Sequence, residues 1–234
     1  MKSYNIGGYC VEMQPKFPLL ERRSVKYEDT DPHGEKIVID TDTDNLYRMQ
    51  KDNPHLSVEE CEVIVTGSVF ARKALETGGL VLHGCALRLR GSGILLMADS
   101  GGGKSTQRRY LQELCRDSVR VVNDDKPLLK FDGGGVTLHG TPWSGTSELN
   151  LDISADLRAI YFIEKSDAVS IKRMPEGDAI ARIYPQLAKY HSGEHTALVL
   201  DYMDRIIKRI AVFEFRCTES LLSAQTLTRD VALL

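Results

Sequence analysis

The sequence predicts an α/β chain with a P-loop core on a mixed sheet and a short N-terminal appendage. Three observations carry this. First, the apolar run Gly93-Ile94-Leu95-Leu96-Met97 leads into Ala98 to Thr106, A-D-S-G-G-G-K-S-T, and then into a segment without Gly or Pro. That is strand, phosphate-binding loop and helix in the order a P-loop requires. Second, Gly91-Ser92-Gly93 and Asp132-Gly133-Gly134-Gly135 are hairpin-type turns among the strands, which mixes antiparallel pairs into a parallel core. Third, 234 residues at 42% hydrophobic and 27% charged are enough to bury a real core and do not resemble a disordered chain.

Residues 1–56 are polar and irregular and hold half of the eight prolines; Ile37-Val38-Ile39 suggests a small strand there. These residues form the expected appendage, and 57–234 the P-loop domain. Ser57 and Glu60 form a capping-box pattern, so a helix should run to about Thr77, where Gly78-Gly79 ends it. Leu80 to Arg90 reads as one strand carrying His83 and Cys85. After the P-loop helix, β-branched Val119 to Val122 runs into Asn123-Asp124-Asp125. Lys126 to Phe131 and Val136 to His139 form a second hairpin. Ala159 to Ile163 and Val169 to Ile171 are further strands. Helices are expected over Met174 to Leu187 and Thr196 to Ile210, then a strand at Ala211 to Phe215 and a last helix from about Thr218.

The bulk properties exclude some classes. A net charge of −3 gives no general attraction to nucleic acid or membrane. Five widely spaced cysteines without a C-x-x-C argue against a disulfide framework or a cysteine-type zinc site. With no signal core and no membrane-length apolar run, a cytoplasmic protein is expected.

The loop predicts the chemistry. Gly101, Gly102 and Gly103 let the backbone approach phosphate oxygens, and the following helix adds the positive end of its dipole. Lys104 supplies a mobile charge for the β- and γ-phosphates, and the Ser105 hydroxyl suits Mg²⁺. Ser100, Gly101, Gly102, Gly103, Lys104, Ser105 and Thr106 are the expected nucleotide contacts, Thr106 packing or capping rather than reacting. Asp124 and Asp125 end the strand after the P-loop helix. Two carboxylates there divide the work, one facing Mg²⁺ near Ser105 and one accepting a proton. Arg88, Arg90 and Arg108 are candidate anion partners, with surface solvation the plainer role for each. Trp143 fits an acceptor-pocket wall or the core equally. Asp201 follows an apolar run as in transport ATPases. However, Val199, Met203, Ile206 and Ile210 recur at helical spacing, no L-S-G-G-Q occurs, and the amphipathic helix is the better reading. The absence of N-K-x-D disfavours a G-protein.

L-H-G-C-A at Leu82 to Ala86, the P-loop, and V-N-D-D at Val122 to Asp125 together resemble the HPr serine kinase/phosphorylase catalytic domain and its small relatives. That fold is also similar to phosphoenolpyruvate carboxykinases. Gly140 to Trp143, G-T-P-W, looks like the small kinase-like members. The resemblance implies an active-site role for His83, catalysis by Asp125 with Lys104, and Mg²⁺ on Ser105, which leaves Asp124 as the carboxylate of the pair that faces the ion. The family's Glu-Arg-Gly signature, source of a second metal-binding Glu, is absent; Glu148 lies in a similar region. The expectation is an ATP- and Mg²⁺-dependent kinase acting on a serine-type hydroxyl of a peptide, protein or free amino acid. Two alternatives stand beside it: a nucleotide-binding scaffold that does not transfer, and a carboxykinase-like enzyme acting on a small acid. The sequence leaves ATP, ADP or GTP open, and homo-oligomerisation too.

Overall fold

The computed structural model describes residues 1–99, 101–187 and 195–234. The N-terminal segment opens with β1 (Lys2–Ile6) and β2 (Tyr9–Met13), an antiparallel hairpin turned at Gly7-Gly8, and β3 (Lys36–Ile39) adds parallel to β2. Alternation places Tyr4, Ile6, Tyr9, Val11, Met13, Ile37 and Ile39 on one buried face. Two short helices, α1 (Pro18–Ser24) and α2 (Thr43–Asp52), lie between and after these strands. Proline opens α1, and Asp42 caps α2 by accepting from the Asp44 N–H.

The long helix α3 (Val58–Glu76) begins with the expected capping box, Ser57 and Glu60 satisfying each other's backbone N–H. Its Phe70, Ala71 and Ala74 join Leu128 and Trp143 under the face of the N-terminal sheet, so one apolar cluster crosses residue 57. At the start of α3, buried Glu62 accepts the N–H groups of Lys16 and Phe17 and ties the entry of α1 to α3.

The main sheet contains β4 (Gly79–Val81), β5 (Cys85–Leu89), β6 (Ser92–Met97), β7 (Val119–Asn123), β8 (Leu128–Lys130), β9 (Thr137–His139), β10 (Ser154–Lys165), β11 (Ser170–Arg173) and β12 (Ala211–Cys217). It is mixed, as expected. The β5–β6 hairpin is antiparallel, whereas β6 and β12 flank β10 in parallel. The first residues of β10 instead pair antiparallel with β9, so this one strand joins the two parts of the sheet. On β6 the period of two is visible in packing. Ile94 and Leu96 face α4 (Lys104–Cys115) and α7 (Leu221–Val231), while Leu95 and Met97 face α5 (Glu176–Ile183) and α6 (Thr196–Arg209). Asp201 lies on the exposed side of α6 and pairs with Arg205, as an amphipathic helix requires. Among the described residues, no helix is long and apolar enough to cross a membrane.

The strand expected over Leu80 to Arg90 is broken. β4 pairs with β8, β5 pairs with β6 and β7, and the chain changes partners at Leu82–Gly84. A Cβ on Gly84 would stand 2.9 Å from Leu95 Cδ1 and 3.1 Å from Leu96 O, so only glycine allows this crossing against β6. His83 therefore sits in a kink, not within a strand.

His139 on β9 is wedged beside the Gly7 turn, and burial, helped by Lys130, lowers its imidazole from 6.5 to about 4. The folded state resists a proton that the unfolded chain accepts, so stability should fall as pH drops from about 6.5 towards 4. Urea midpoints at pH 7 and 4.5 should fall less for His139→Gln than for the wild type; equal losses would remove His139 as the cause.

Candidate active site

The loop between β6 and α4 closes over its own backbone. Gly103 is the N-cap of α4 at φ 103°, and a Cβ on Gly102 would lie 2.6 Å from that of Ala98. No side chain caps the helix, so its first N–H groups are left for an external acceptor. Lys104 Nζ donates to Ala98 O at 2.7 Å, across the loop. Burial pushes this ammonium below its usual range, against the pull of nearby carboxylates, Asp125 first. Ser100 lies outside the described residues.

The acidic pair is held by a buried amide. Asn123, the last residue of β7, donates from Nδ2 to Thr141 O (2.9 Å) and Oγ1 (3.0 Å), and its Oδ1 accepts from the N–H groups of Asp125 (2.8 Å) and Lys126 (2.7 Å). This Asx turn swings both aspartates to the same side as the loop. Asp124 Oδ2 accepts from Ser147 Oγ at 2.6 Å. Its Oδ1 lies 3.2 Å from Arg108 Nε, close enough for charge pairing, yet both atoms are buried without a hydrogen-bond partner. Asp125 Oδ1 lies 3.3 Å from His83 Nε2, and Lys126 Nζ is 3.9 Å from Oδ2.

His83 is pinned from both sides. Its backbone N–H donates to Gln186 O (2.9 Å), its Nδ1 lies 3.1 Å from Gln186 Oε1, and Gly84 N–H donates to Asp125 O (2.9 Å). Burial first, then the Lys104 charge, lowers its pKa against the opposing effect of Asp125.

His83, Gly101, Gly102, Gly103, Lys104, Ser105, Thr106, Asp124 and Asp125 thus line one cleft of about 510 Å³, with Gly145, Thr146, Ser147 and Lys165 on its other walls. Gly145 makes room for the acid, since a Cβ there would stand 3.3 Å from Asp125 Cβ. Glu148 is a correction: it is not in this lining. Arg22 takes its carboxylate in two hydrogen bonds, at 2.6 and 3.1 Å, with Arg23 at 3.6 Å, and Arg22 above all holds it below the usual carboxylate range. Among the described residues, no group of three or more His, Cys, Asp or Glu gathers as a metal cage.

Arg108 is the second correction. It is a half-buried partner of Asp124 rather than a solvated surface residue; its place four residues after Lys104, on the same helical face, was the available signal. Arg90 lies in the β5–β6 turn, at the opposite end of β6 from the loop. Asn123, Gln186 and Ser147 carried no pattern of their own, because their roles arise only from tertiary placement.

Fold and cleft together define a mixed α/β chain that presents a glycine-rich loop, a helix N-terminus and an acidic pair to one open space. The chain belongs to the ScmC family: residues 49–221, which include every residue lining the cleft, match the family described as SynChlorMet cassette protein ScmC. None of the curated proteins matches the chain. Among solved structures, it is similar to that of the Hpr(Ser) kinase/phosphatase from Coxiella burnetii, at 14% identity and a TM-score of 0.38, covering 65% of this chain and 96% of that one.

Because the buried Asn123 side chain makes four hydrogen bonds, two of them fully buried, Asn123→Ala should lower the unfolding free energy by about 2–4 kcal/mol. Urea denaturation would show this; a loss within about 0.5 kcal/mol would mean that the turn is held by other contacts.

Proposed function

We propose that the chain is an ATP- and Mg²⁺-dependent phosphotransferase whose acceptor is a serine-type hydroxyl. The observation that carries this reading is that Asp125, backed by His83, faces the same cleft as Lys104 and Ser105. In this reading the glycine-rich loop is a P-loop. Its N–H groups and the start of α4 hold the β- and γ-phosphates, and Lys104 exchanges the Ala98 carbonyl for phosphate oxygens.

The residues suit Mg²⁺: Ser105 and Asp124 offer hard oxygen ligands, and Asp124 Oδ1 is buried without a hydrogen-bond partner. Mg²⁺ needs only one or two protein ligands beside phosphates and water. When bound, it would neutralise charge on the β/γ-phosphate oxygens. Asp125 accepts the acceptor's hydroxyl proton as the new O–P bond forms at the γ-phosphorus. The bond from that phosphorus to the bridging oxygen breaks, and ADP leaves with the electron pair. The Gly84 N–H, next to His83, holds the Asp125 backbone, and His83 Nε2 borders the carboxylate. With a loose transition state, positioning and charge stabilisation count for more than base strength.

A second reading, nucleotide binding without transfer, is favoured by one observation: Arg108 already balances the Asp124 carboxylate. Acceptor-dependent ATP turnover would exclude it.

Phosphate transfer from ATP to serine and to serine-containing peptides tests the proposal. Asp125→Asn should reduce transfer by about 100-fold or more while nucleotide binding persists, and Lys104→Ala should weaken nucleotide binding. Absence of transfer to every acceptor, or full activity in Asp125→Asn, would overturn it.

A further inference from the structure

A second cavity, of about 180 Å³, opens beside the cleft and shares Asp125, Gly145 and Thr146 with it. Its character is different. Leu19 from α1, Leu56 from the turn before α3, and Val63 and Ile64 from α3 line it, and Trp143 closes one side. The Trp143 ring is fixed: Nε1–H donates to Thr66 Oγ1 at 2.9 Å, the ring stacks on Phe70 at 4.5 Å, and it lies against the bare backbone of Gly67. Such a wall costs little further ordering when something binds to it.

Arg23 also borders the cavity. Arg23 is only 7% exposed and donates to Ser144 O (2.7 Å) and Gly145 O (3.1 Å), the strip of backbone that separates the two cavities. Its Nε is buried without a hydrogen-bond partner.

We infer that this cavity selects the acceptor: it takes one apolar side chain next to the hydroxyl that Asp125 deprotonates, so the substrate is a peptide with an apolar residue adjoining its serine. The inference rests on the phosphotransferase reading of the cleft. The shared Asp125 sets the geometry, because a group seated on Trp143 is then a neighbour of whatever meets that carboxylate. Apolar walls set the chemistry. A free amino acid has no second side chain to fill them, and two of the charged residues that also line the cavity are already engaged, Glu60 in the capping box of α3 and Arg23 on the Ser144 and Gly145 carbonyls. Leu19 and Arg23 precede residues 49–221, so part of the selection would come from outside the stretch matched to the family.

The test uses the full chain and three peptides that differ only in the residue beside serine: Leu, Ala or Lys. Free serine is a fourth acceptor. Transfer from ATP gives kcat/KM for each. The fluorescence of Trp143, the only tryptophan, reports occupancy whether or not transfer occurs. The Leu peptide should exceed the Ala peptide by about 10- to 100-fold in kcat/KM and should alone shift the fluorescence. Ile64 is 42% exposed, so Ile64→Asp should fold and should bring the Leu-to-Ala ratio close to one. Equal use of all four acceptors, or unchanged fluorescence with saturating Leu peptide, would overturn the inference. A fluorescence shift with the Leu peptide but no transfer would support the pocket and reject the phosphotransferase reading; neither shift nor transfer would reject both.

Discussion

Both cavities depend on how one buried amide is satisfied. Asn123 ends β7 with no water available to it, so each of its polar atoms must find a protein partner. Its acceptor gathers the N–H groups of Asp125 and Lys126, and its donors hold Thr141. Thr141 in turn donates to Lys126 O, which closes the loop of contacts. From Thr141 the chain runs directly into Trp143, Ser144 and Gly145, so the acid and the walls around it are placed by the same knot. Tying the pieces together this way makes the geometry stiff.

Charge in the cleft is balanced rather than neutral. Asp124 and Arg108 confront each other with 6% and 15% of their side chains exposed, where an unpaired charge would be very costly. Lys104 is partly buried and leans on a carbonyl. Burial and the nearby lysine lower the pKa of His83. The cleft therefore holds cations and carboxylates in near-contact with few hydrogen bonds between them, an arrangement in which an incoming polar ligand can exchange partners instead of creating them.

What could be read in the sequence was what local chemistry dictates. The β6–loop–α4 unit, the capping box of α3, both hairpins of the main sheet and the amphipathic α6 all fell close to where their patterns placed them. The break at Leu82–Gly84 was hidden because an apolar run looks the same whether the chain keeps one partner strand or changes to another. The β1–β2 hairpin was hidden because the residues around Gly7-Gly8 alternate over only five positions per strand and mix polar with aromatic side chains. Among the site residues, Gly101 to Thr106, His83, Asp124 and Asp125 do converge on one cleft. Glu148 was misplaced because nothing local announces its partner: Arg22 is distant in sequence and reaches it only through the seating of α1.

The way the N-terminal hairpin is buried has a consequence for the order in which the molecule assembles. Tyr4, Ile6 and Tyr9 are covered by Phe70 and Ala74, and the same cluster is completed by Leu128 and Trp143. During synthesis this sheet emerges well before its cover exists. Its apolar face must wait through α3 and most of the main sheet, and the long-range contacts that finally enclose it are the slow kind. The hairpin is thus made first and locked late. The elements that meet it last, around Trp143, are those that border the two cavities, so the site would acquire its final shape only when the oldest and youngest parts of that core come together.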